Sequence, residues 1–299
     1  MTRAQPTSYL AVLRERAPYA ILALILANTA VGLAGWVHWQ TTGEVRWLIA
    51  FFRYPNTFFI ILVGAAEVGF CAYARQQFER GDALRSAWSW LTLAAMAHFT
   101  GTLLTTFFES RTDSPSQWNT IHDAGQALGG PAQMALLLVG LVRVAIHCRR
   151  LGLLKRLTRS DHLLLALVLG LTVRTVYGIW RYLSGGKPVT WVMAANWTSD
   201  PMLILLLVVA VLIRRSVFRM GRGMIANCWR SFVAAILLTV IADAGLWCLQ
   251  CTSAPWAGLG WYLWFIADAT FALAPAFQVA ALEHARSRSR LLNAIADWA

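Results

Sequence analysis

Long apolar runs alternate with short polar connections along the whole chain. A helix needs about 20 mostly apolar residues to cross a bilayer. The pattern predicts eight such helices, near 18–38, 57–74, 86–108, 129–149, 162–183, 200–218, 229–250 and 257–284. The charged residues between them sort by side. Lys and Arg gather in the N-terminal tail (Arg3, Arg14, Arg16), the second connection (Arg75, Arg80, Arg85) and the fourth (Arg149, Arg150, Lys155, Arg156, Arg159). They gather again in the sixth (Arg214, Arg215, Arg219, Arg222, Arg230) and the C-terminal tail (Arg286, Arg288, Arg290). The other connections hold only Arg46, Arg53, Arg111 and Lys187. The positive-inside rule then puts both termini in the cytoplasm. No connection is long enough for a soluble domain. The predicted fold is an all-α integral membrane bundle of eight spans, acting within the bundle, at its mouths or through a partner.

Composition agrees with the pattern. The chain is 58% hydrophobic and 13% charged, against roughly a quarter charged in soluble domains. Its formal charge of +12 is accounted for by the cytoplasmic connections, which face an anionic leaflet. Nucleic acid is therefore not an expected partner; membrane lipids are. Apart from Lys155 and Lys187 every basic residue is arginine, which points to a GC-rich genome and a bacterial inner membrane. The first 20 residues have a basic start but no short apolar core and cleavage site, and read as an amphipathic lead into the first span.

The two halves of the chain, 1–160 and 161–299, resemble each other. Residues 21–43 align without gaps with 164–186, matching Thr29 to Thr172, Gly35 to Gly178 and Gly43 to Gly186. Residues 122–137 align with 267–282, matching Asp123 to Asp268 and Gln133 to Gln278. Spans two and six, and three and seven, match only in hydropathy and in Phe78/Phe218 and Gly81/Gly221. A four-plus-four duplication has an even number of spans in each half, so the halves share one orientation about an axis along the membrane normal. The interface between them is the natural place for a site. Both matching segments are interrupted, by Gly129-Gly130-Pro131 in the fourth span and Pro275 in the eighth, where proline predicts kinks.

Ionisable groups inside a bilayer are costly unless paired or hydrated, and so mark candidate sites. Counting from the charged ends at about 1.5 Å per residue, Arg174, His98 and Asp243 share a mid-membrane depth. Asp268 lies farther out and Glu67 nearer the cytoplasm. A guanidinium demands a carboxylate or a ring of carbonyls, which makes Asp243 or Asp268 the expected partner of Arg174. Such a pair either fixes helix register or receives an anionic or carbonyl-bearing ligand. His98 fits a packing role or a proton relay with Glu67. Asp123 joins the candidates as the counterpart of Asp268. Ser160-Asp161 and Asp200-Pro201 read as helix caps.

The remaining signals are weaker. Trp36, Trp39, Trp47, Trp118, Trp180, Trp191, Trp197, Trp247, Trp256, Trp261 and Trp264 fall on the outer side. Only Trp88, Trp90, Trp229 and Trp298 fall on the inner side. That asymmetry fits an interfacial belt or an outer vestibule. Cys248 and Cys251 form a CxxC at an outer helix end, read as unlinked residues or a disulfide. No ligand spacing for metal or haem, and no nucleotide or hydrolase motif, is present, so no cofactor is expected. Three functions fit. The first is a carrier or binder of a small anionic or aromatic ligand, with Arg174, Asp243, Asp268, His98, Glu67 and Asp123 at the site. The second is a sensory or assembly module with a cytoplasmic protein partner at the basic C-terminal helix. The third is a lipid- or quinone-active enzyme.

Overall fold

The computed structural model describes residues 9–108, 116–154, 156–186, 197–217, 223–249 and 254–296. Side chains are described throughout these segments except at 9–10, 49, 52–53, 116–119, 200, 217, 243–249, 254–261 and 290–296. The described residues are all-helical, without strands. In chain order the helices are α1 (Tyr9–Glu15), α2 (Ala17–Thr42), α3 (Arg46–Arg53), α4 (Pro55–Gln76), α5 (Ala83–Phe107) and α6 (Ser116–Ala127). A π-helical turn (Leu128–Ala132) joins α6 to α7 (Gln133–Arg150). They are followed by α8 (Arg159–Ser184), α9 (Ser199–Val217), α10 (Met224–Leu249) and α11 (Ala254–Ala296).

Among the described residues six helical stretches are long and apolar enough to cross a membrane: Ala17–Thr42, Pro55–Gln76, Thr120–Arg150, Arg159–Ser184, Met224–Ala242 and Tyr262–Ser289. The expected spans three and six correspond to α5 and α9, which are helical but not among those six. Their surroundings identify the solvent. Leu163 and Leu26 are 72% and 69% exposed on α8 and α2. Apolar faces this bare suit lipid rather than water.

The helices close a ring. Walking round it, α4 packs on α5, α5 on α7, α7 on α9, α9 on α10, α10 on α11, and α11 back on α4. Of the longer helices described, two lie outside the ring: α2 against α4 and α11, and α8 against α9. The order repeats, since α4–α5–α7 and α9–α10–α11 follow one another in the same sense. The buried faces of α5 and α10 repeat as well. Ala87, Trp88, Leu91, Ala94, His98 and Gly101 are buried on α5. The residues 141 positions later, Cys228, Trp229, Phe232, Ala235, Thr239 and Ala242, are buried on α10. Trp88 and Trp229 are core residues, not part of an inner interfacial belt.

Small residues let the ring close tightly, as is usual in membrane bundles. On α11, Ala267, Ala269, Ala272, Ala274, Ala276 and Ala280 are fully buried. A Cβ on Gly101 would strike the backbone of Gly129 and come within 2.6 Å of the Gly125 carbonyl. So α5 crosses the fourth span backbone to backbone. The predicted kink at Gly129-Gly130-Pro131 takes the form of that π turn: Pro131 lacks an N–H, and one extra residue per turn relieves the break. Pro275, by contrast, sits inside an unbroken α11.

Candidate functional site

His98, on α5, stands between two carboxylates from different helices. Its Nε2 is 3.4 Å from Asp268 Oδ1 of α11, and its Nδ1 is 3.7 Å from Glu67 Oε2 of α4. All three residues are buried. Sequence periodicity explains the meeting. Glu67 lies on the buried stripe of α4 with Asn56, Val63, Cys71 and Ala74. His98 lies on the stripe of α5 that ends at Gly101, where the crossing with the π turn pulls the helices together. Asp268 is flanked by the fully buried Ala267 and Ala269, whose small side chains let neighbours approach.

The cluster has unspent hydrogen-bonding capacity. Glu67 Oε2 and His98 Nδ1 are buried without a hydrogen-bond partner, although they face each other. Leaving such atoms unmet is costly in a low dielectric. Asp268 also borders a small cavity between α7, α9, α10 and α11, with Gln133, Leu206, Thr239, Trp264 and Phe271 among its walls. Its free volume is about 20 Å³, room for roughly one water. Gly129 of the π turn is part of the wall. Gln133 is buried, as is Gln278, its counterpart in the expected duplication.

Two other expected site residues, Arg174 and Asp123, lie elsewhere. Arg174 is on the exposed face of α8, a helix that packs on α9, and it borders a separate groove with Arg181 and Trp197. Asp243 is on α10, and its side chain is outside the described residues, as is any pairing with Arg174. Asp123 is on α6, half exposed, with its Oδ1 3.9 Å from His122 Nδ1. The Cys248–Cys251 pair and the Asp200 cap also fall outside the described side chains. The imidazole explains how Glu67 and Asp268 meet despite their different expected depths: it bridges them, one ring nitrogen to each.

Several polar groups were not singled out from the sequence. Asn28 of α2 donates to Asn56 Oδ1 of α4 at 3.0 Å, both buried. Thr29 and Tyr262 share a hydrogen bond between α2 and α11. Where α1 meets α11, buried Glu283 of α11 accepts from Tyr73 and lies 3.7 Å from Arg14 and 3.6 Å from Arg286. The Arg14 guanidinium lies 4.1 Å over the Tyr73 ring, a cation–π contact. The signal for the asparagines was available, since each is an amide within an otherwise apolar run. Among the described residues no cluster of His, Cys, Asp and Glu is arranged to hold a metal ion.

No protein-family model, curated protein or solved structure matches this chain.

Proposed function

We propose that this chain is an eight-span carrier of a bacterial inner membrane, with both termini cytoplasmic and its site at Glu67, His98 and Asp268. On this reading α5 and α9 are spans three and six, because each closes the ring between helices apolar enough to cross. The halves 1–160 and 161–299 are parallel repeats. Support comes from the repeated ring order and from the buried face that recurs between α5 and α10.

One observation carries the function: a buried imidazole held between two buried carboxylates, with facing polar atoms left unmet, beside a cavity between the halves. Two carboxylates and one imidazole attract protons and cations. An anionic ligand was expected because of Arg174, which lies on another face. The chemistry here favours a small cationic or aromatic solute exchanged against protons, with Trp264 and Phe271 as its apolar walls. The cavity is too small for such a solute, so loading requires the helices around it to move apart. The π turn, where helical hydrogen bonding is already broken, is the hinge for that movement.

The test is proton movement in liposomes holding the purified chain and an internal pH dye, driven by a mixture of organic cations outside. Wild type releases protons. Glu67→Gln and Asp268→Asn lose most of that flux, and Arg174→Gln keeps it. Wild-type flux in both carboxylate variants would sink the reading. A second reading, sensing, is favoured by α11 itself, a single helix of 43 residues carrying both Asp268 and the cytoplasmic tail. It predicts that ligand changes access to the tail, with no flux.

A further inference from the structure

We infer that the groove between α8 and the residues leading into α9 is a binding site for the phosphate of an anionic lipid in the outer leaflet. The groove encloses about 450 Å³ and is lined by Leu171, Arg174, Thr175, Tyr177, Gly178, Arg181 and Trp197. That volume is in the range of small-ligand sites. Thr175 donates to the Trp197 carbonyl at 3.0 Å, which ties the second wall to α8. Trp197 is held edge-on by Tyr182, ring centres 5.7 Å apart. Arg174 and Arg181 are seven residues apart, so both side chains start from one face of the helix, with Tyr177 between them in sequence on the same groove wall. Among the described residues no carboxylate pairs with either arginine.

Depth selects the leaflet. Counted from the cytoplasmic end of α8 at Arg159, Arg174 lies about 22 Å and Arg181 about 33 Å along the helix. The hydrocarbon core is about 30 Å thick. Arg181 therefore sits at the outer headgroup level, and Arg174 lines the same groove about two turns deeper. Two arginines and a tyrosine lining one groove suit a phosphodiester, which accepts charge-assisted hydrogen bonds on several oxygens. Tyr177 and Trp197 supply the aromatic edge that favours the headgroup region. The groove belongs to one half alone: in the alignment of 21–43 with 164–186, α2 places Val31 and His38 where α8 has Arg174 and Arg181.

The experiment is native mass spectrometry of the full chain in neutral detergent, stripped of lipid and titrated with phosphatidylglycerol, phosphatidylcholine or glycerol 3-phosphate. Wild type binds phosphatidylglycerol in preference to phosphatidylcholine. The Arg174→Gln/Arg181→Gln variant weakens that binding about tenfold or more, whereas Arg149→Gln/Arg150→Gln, at the cytoplasmic end of α7, does not. Equal binding of the two lipids by wild type overturns the inference, and that comparison stands even where the double variant fails to fold. An equal loss in the cytoplasmic variant also overturns it. Glycerol 3-phosphate binding as well as the lipid makes the occupant a soluble phosphate ester and overturns the lipid assignment.

Discussion

Gly101 sets how closely α5 approaches the interrupted fourth span, and with it the position of His98 one turn earlier. A methyl group there meets backbone rather than a flexible side chain. Gly101→Ala is therefore expected to destabilise by about 1–3 kcal/mol, read as a lowered thermal midpoint in detergent. Gly130→Ala is the control, since a Cβ there meets nothing within 4 Å; equal losses in the two variants would contradict the crossing. A second residue-scale prediction concerns Asp161. Ser160-Asp161 was expected to cap α8 directly. The cap is instead Thr158, whose N–H donates to Asp161 Oδ2 at 2.7 Å in a reciprocal capping box. Arg215 of α9 lies 2.5 Å from the same oxygen. Arg215→Ala leaves a buried carboxylate without its cation and should cost about 1–3 kcal/mol. Adding Asp161→Asn should recover part of that loss, and additive losses would show that the pair is not coupled.

At the scale of elements, the sequence revealed which helices exist better than how each is turned. The Gly-Gly-Pro interruption was legible because proline chemistry is local, whereas its resolution as a π turn depends on the neighbouring crossing at Gly101. Glu67, His98 and Asp268 were each legible as ionisable groups in apolar runs. His98 and Glu67 were expected as neighbours, but the approach of Asp268 to His98 was not, because counting along a helix gives depth but not the direction a side chain faces. Arg174 shows the same limit: its depth suited the site, but α8 packs on α9 and turns that arginine outward. The continuation of α11 as a helix beyond the expected span end at 284 was legible. Its clamp onto α1 was not, since nothing in the pattern singles out Glu283 as a partner of Arg14 and Tyr73. That clamp predicts that Glu283→Gln loosens α1 from α11, seen as faster amide exchange over residues 11–16 and unchanged exchange in α5. Unchanged exchange in α1 would mean that apolar contacts alone hold it.

For the whole molecule, the helices α4, α5, α7, α9, α10 and α11 close one ring. The proposed duplication was only half legible. Residues 122–137 and 267–282 matched in letters, but α5 and α10 match in which positions are buried and hardly in letters. Burial selects volume and polarity, and many side chains satisfy both. The eight-span reading predicts that the ends of α5 face opposite sides of the membrane. In single-cysteine variants, an impermeant thiol reagent added outside intact cells should label Phe107→Cys and spare Asp82→Cys. Labelling of both, or of neither, would remove α5 from the spans and break the arginine alternation.

The most direct measurement of the central claim is the nitrogen-15 spectrum of the histidine rings in the full chain embedded in lipid bilayers. The His98 signals are assigned by their loss in His98→Gln. The account predicts that Asp268→Asn and Glu67→Gln each shift the His98 ring nitrogens, while Arg174→Gln leaves them in place. His98 signals unmoved by either carboxylate substitution would contradict it, because the imidazole would then not stand between Glu67 and Asp268.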